Sequence, residues 1–96
     1  WQQWYFHLIS SLAKKGYERN QSATPSQFLD DVEYMLEANK NNNNSHIEPF
    51  LIAFSRFTQS YNTMAYGMLS DEKVQILNSV MKTQYKECRV LLKKIN

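Results

Sequence analysis

Three observations predict an all-α fold, a compact bundle of four helices packed mainly antiparallel. The 96 residues include only two glycines and two prolines, too few for a turn-rich β protein. Apolar residues recur at helical spacing in four blocks, and the segments between them carry the stop and start signals of helices. At this length the chain, residues 1–96, forms one domain with room for a real core and a stability of about 5–10 kcal/mol.

The first helix is expected over about residues 1–15. Trp1, Trp4, Tyr5, Leu8, Ile9 and Leu12 follow the i, i+3, i+4, i+7 stripe of an amphipathic helix. Lys14 and Lys15 suit its C-terminal dipole, and Gly16 supplies the positive φ that stops it. A short polar connection, Tyr17 to Ala23, follows.

Thr24 then caps the second helix, expected over 25–38. Pro25 fits its first position, where no N–H partner is needed, and Gln27 stands where it can close a capping box. Its apolar side is Phe28, Leu29, Val32, Met35 and Leu36, with Ala23 and Phe28 at hydrophobic-staple positions. Residues 39–45 read Asn-Lys-Asn-Asn-Asn-Asn-Ser, a low-complexity loop with nothing apolar to bury and therefore expected to be mobile.

A third helix, over about 47–66, begins somewhere between His46 and Pro49: Ser45 with Glu48 resembles a capping box, while Pro49 would suit N1. Phe50, Ala53, Phe54, Phe57, Tyr61, Met64 and Ala65 form its apolar face, and Gly67 is expected to end it as Gly16 ends the first. Ser70 caps the fourth helix, over about 71–95, with Asp71 and Glu72 in the first turn and Leu69 and Val74 as staple. Its stripe is Val74, Leu77, Met81, Tyr85 or Gln84, Cys88, Leu91, Leu92 and Ile95.

The net charge of +2 does not by itself call for nucleic acid. Cys88 is the only cysteine, so an internal disulfide and a thiolate metal cluster are excluded. No apolar run approaches the roughly 18 residues that span a bilayer, and no signal-peptide pattern is present. With Trp1 rather than Met at its start, the chain is expected to be a piece of something longer.

Catalytic and metal chemistry find little footing. Cys88 with His7 or His46 has the composition of a nucleophile and base, but Cys88 falls mid-helix on the apolar stripe, away from any helix start that would lower its pKa. Asp30 with Asp31, and Asp71 with Glu72, are adjacent on helices and point about 100° apart, so neither pair flanks one substrate bond. No phosphate loop, nucleophile elbow or zinc spacing occurs. Asn20-Gln21-Ser22 and Asn43-Asn44-Ser45 match the glycosylation pattern, which arises by chance in Asn-rich sequence. No enzyme activity, cofactor, metal or small-molecule substrate is expected.

Lys82, Lys86, Arg89 and Lys93 recur at i, i+4, i+7 and i+11, a basic stripe beside the apolar one, with Lys94 and Lys73 near the helix ends. A solvated face is the plain reading; contact with anionic lipid headgroups or an acidic partner comes next, and nucleic acid last. Trp1, Trp4 and Tyr5 likewise read as core residues or as interfacial aromatics beside a membrane, with core packing the better account of Trp4 and Tyr5.

Gly16 with Arg19, then Thr24-Pro25-Ser26-Gln27-Phe28, then Tyr61 followed by Tyr66-Gly67 resemble, in order and spacing, a domain of unknown function at the C-terminus of bacterial membrane-anchored transglutaminase-like proteins. The likeness covers Trp4 to Gly67. It departs from the family pattern at Gln27, where Glu is commoner, and at Met64 and Ala65, where charges are.

The resemblance implies a location rather than a reaction. It places such a domain after the last membrane helix, on the cytoplasmic side, as an interaction or regulatory appendage to a separate catalytic domain. A protein partner or another domain of the same chain is then its expected contact, with the basic stripe near the anionic inner leaflet. Within Gly16 to Phe28, where Gly16, Thr24, Pro25 and Gln27 have full structural explanations, only Arg19 is required by no capping rule, and a carboxylate of helix two or the end of helix three is its expected partner.

Overall fold

The computed structural model describes residues 1–38 and 45–95. The Asn-rich loop expected over 39–45 lies outside the described residues except for Ser45. The chain is an all-α four-helix bundle: α1 (Gln2–Lys14), α2 (Pro25–Ala38), α3 (Ile47–Tyr66) and α4 (Asp71–Lys93).

The helix ends follow from local chemistry, with two corrections. Gly16 has φ +96, and the Tyr17 N–H donates to Leu12 O while Gly16 N–H donates to Ala13 O. This paired arrangement satisfies the last carbonyls of α1 and folds Tyr17 back onto Leu12. Both side chains are buried, so the connection that reads as polar opens with a core residue.

At α2 the capping box closes in both directions: Thr24 N–H donates to Gln27 Oε1 at 2.9 Å and Gln27 N–H to Thr24 Oγ1 at 3.2 Å. Ser70 accepts from Lys73 N–H at the start of α4.

The first correction is Gly67, which sits at φ −79, ψ 146 and not in the left-handed region. Glycine is required there for room, since a Cβ would stand 2.4 Å from the Thr63 carbonyl oxygen. The second concerns the cap of α3 and not its start, which falls at Ile47 within the expected range: neither a Ser45–Glu48 box nor Pro49 at N1 is found. His46 is the N-cap residue, without a side-chain cap bond. Pro49 falls in the first turn, where its missing N–H costs nothing.

The core lies where the four stripes meet. Tyr5, Leu8, Leu12, Phe28, Val32, Leu36, Phe50, Phe54, Phe57, Met81, Cys88 and Leu92 are all buried. Phe54 packs face to face with Phe50 and edge-on with Phe28. Burying such side chains contributes about 1.5–3 kcal/mol each before entropy is set against it. Ala65, expected on the inner face of α3, is exposed, whereas Ile47 and Thr58 are buried.

Contacts between helices set their directions. Ser26, at the start of α2, receives a hydrogen bond from Asn62 near the end of α3, so α2 and α3 are antiparallel. Trp1 meets Tyr61 and Tyr5 meets Phe57, which makes α1 and α3 antiparallel too, and the short 67–70 link turns α4 back along α3. α1 and α4, by contrast, are parallel: Trp4 and His7 meet Tyr85, and Lys15 reaches Ile95.

With α1 and α2 both antiparallel to α3, the 15–24 link must run back along the length of α1. The 13 residues of α1 span about 20 Å, within the reach of such a link. Arg19 lies midway along this return, its guanidinium close enough to Tyr5 and Tyr61 to act on their hydroxyls.

Candidate functional site

α4 presents three different faces. At about 100° per residue, Met81, Cys88 and Leu92 face the core, Lys82, Lys86, Arg89 and Lys93 form a second face, and Ile76, Val80 and Val90 a third, roughly a third of a turn apart. The four basic residues of the second face are all exposed. Among the described residues, Lys82, Lys86 and Lys93 make no ion pair.

The basic face adjoins a groove of ≈ 360 Å³ between α1 and α4, lined by His7, Ser11, Lys15, Arg89, Leu92 and Lys93. Beside the groove the two helices are tied together. Tyr85 Oη lies 2.6 Å from His7 Nδ1, the Tyr85 ring stacks on Trp4, and Arg89 Cζ sits 5.6 Å from the centre of the Tyr85 ring. That cation–π contact holds the Arg89 guanidinium at the rim of the groove.

Part of this positive charge has a structural task. Because α1 and α4 run the same way, their C-termini lie together, and each carries about half a negative charge. Lys15 answers this by donating from Nζ to the Ile95 carbonyl at 2.6 Å, and Lys14, Lys93 and Lys94 stand in the same last turns. Lys82 and Lys86 are mid-helix, where no such task exists. The fold makes no evident use of these two cations.

Cys88 is fully buried, and burial, with Glu87 adding to it, pushes its thiol from 9.0 up to about 12. The thiol therefore stays protonated at neutral pH. His7, the suggested base, is engaged with Tyr85. Among the described residues no group of three metal-binding side chains comes together, and no helix is long and apolar enough to cross a membrane.

The signature residues Gly16, Arg19, Thr24, Pro25, Gln27, Phe28, Tyr61, Tyr66 and Gly67 lie on the return link, the start of α2 and the end of α3. Apart from Gly16 and Arg19 they gather toward one end of the bundle. Tyr61 packs between Trp1 and Tyr5 with ring centroids 5.2 and 4.4 Å away, while Tyr66 is exposed.

Arg19 takes neither of its expected partners and instead donates to the Ala23 carbonyl at 3.2 Å, bracing its own link. Beside it the Tyr5 hydroxyl is buried without a hydrogen-bond partner. Burial pushes the Tyr5 pKa up to about 12 despite the nearby Arg19 charge. The burial of Tyr17 is foreshadowed in the sequence only by its place just after the Gly16 stop, where an apolar contact back to the helix is usual.

The chain matches no protein-family model, no curated protein and no solved structure among those compared with it.

Proposed function

We propose that the chain is a non-catalytic helical module of a bacterial membrane-anchored transglutaminase-like protein, an interaction or regulatory appendage on the cytoplasmic side of the membrane. In this reading its working surface is the basic face of α4, which meets anionic headgroups of the inner leaflet. The observation that carries it is that Lys82 and Lys86, exposed and mid-helix, are needed neither by the core nor by a helix end. Near an anionic leaflet each cation contributes about 1 kcal/mol. The protonated Cys88 thiol supports the non-catalytic part, and the clustering of signature residues supports the resemblance.

Sedimentation with vesicles tests it. The protein is expected to pellet with phosphatidylglycerol vesicles at low salt, to be released as salt rises, and to ignore phosphatidylcholine vesicles. Lys82→Glu with Lys86→Glu should abolish pelleting while leaving the melting temperature unchanged. Equal pelleting of this double variant, or salt-dependent binding to duplex DNA but not to vesicles, overturns the lipid reading.

A further inference from the structure

The third face of α4 has no use within the bundle. Ile76, Val80 and Val90 are 60 %, 43 % and 55 % exposed, and Ile76 and Val80, one turn apart, form the apolar centre of a seam along the helix. A groove of ≈ 240 Å³ lined by Thr63, Leu69, Lys73, Ile76, Leu77 and Val80 runs beside it.

The charges along α4 say what covers this seam. The first turn carries Asp71 and Glu72, and the later turns carry Lys82, Lys86, Arg89 and Lys93. Two α4 helices laid side by side in the same direction would set acid on acid and base on base. Laid in opposite directions, the Glu72 flank of each meets Lys86 of the other, the residue of the basic face nearest the seam. Lys73 and Glu87, both exposed on the seam itself, are likewise set to exchange partners between reversed copies. The helix is thus complementary to itself reversed.

We infer that the protein self-associates as a two-fold dimer in which two α4 helices pack antiparallel through Ile76 and Val80. A two-fold at the level of Ser79 brings Glu72 of one copy level with Lys86 of the other, and Lys73 of one near Glu87 of the other. The axis is perpendicular to both helices, so the flank that carries Glu72 and Lys86 faces the same way in each copy. The two basic faces therefore lie on the same side of the dimer, with Lys82, Arg89 and Lys93 of each copy outside the Glu72–Lys86 pairs, which deepens the lipid-binding reading. Self-association itself does not depend on that reading.

Sedimentation equilibrium of the whole chain, without lipid, tests the dimer. A concentration-dependent dimer is expected, weakened roughly tenfold or more by Val80→Glu, which buries a charge in the seam. Glu72→Lys and Lys86→Glu should each weaken it, and the double variant should recover it. Circular dichroism melts accompany each variant, and Ile76→Ser replaces Val80→Glu if the latter unfolds. A monomer at every concentration overturns the proposal. So does a dimer indifferent to the seam substitutions, or one that the charge swap fails to restore. Because no lipid is present, failure here is distinct from failure of the vesicle experiment.

Discussion

Two glycines end two helices for different physical reasons, and substitution separates them. At Gly16 the obstacle is the left-handed φ, with open space around a Cβ. Gly16→Ala should cost about 1–2 kcal/mol, and Gly16→Asn less, because asparagine tolerates this region. At Gly67 the backbone is ordinary and the obstacle is the Thr63 carbonyl. Gly67→Ala should cost about 1–3 kcal/mol, with no relief from asparagine. Thermal melts check this, since 1 kcal/mol shifts the midpoint of so small a domain by about 4–8 °C. The sequence marks both positions as helix ends, but a glycine letter does not distinguish a need for positive φ from a need for room.

At the level of elements, what was legible is what depends on neighbours in the chain. The capping box of Thr24 and Gln27 and the Ser70 cap rest on contacts within a few residues, and the stripes of α1, α2 and α4 are read from spacing within one helix. What was not legible depends on partners distant in sequence. Nothing in residues 15–24 announces that the link returns along α1, so the parallel pairing of α1 with α4 had no local signal. The basic face was legible as a spacing; the α1 groove beside it was not, because Lys15 and Arg89 meet only in the fold. The reciprocal bonds of the capping box make a test of coupling. Thr24→Ala should cost about 1 kcal/mol, and Gln27→Ala should add less in that background than alone. A double-mutant cycle by urea unfolding reads the difference, and strict additivity would show that the two bonds act independently.

For the whole molecule, charge is segregated as well as apolar surface. α2 carries Asp30, Asp31, Glu33 and Glu37 and no lysine or arginine, while one exposed face of α4 is basic. Stability should also respond to alkaline pH in a defined order. Cys88 is raised from 9.0 and Tyr5 from 10.0, each to about 12. The unfolded chain therefore gives up these protons first, and the stability contributed is whole below pH 9 and lost as pH rises toward 12. Melting temperature should begin to fall near pH 9 and fall more steeply above pH 10. Cys88→Ala should remove the first part of the decline, and a variant with an unaltered onset would show that the thiol is not its source.

The parallel course of α1 and α4 has a mechanical consequence. Trp1 stands at the start of α1, and Ile95 lies just past the end of α4, where Lys15 reaches it. Tension applied between these residues pulls α1 and α4 past each other along their axes. The Trp4, His7 and Lys15 contacts then bear the load together, in shear, whereas antiparallel neighbours pulled from adjacent ends would peel apart one contact at a time.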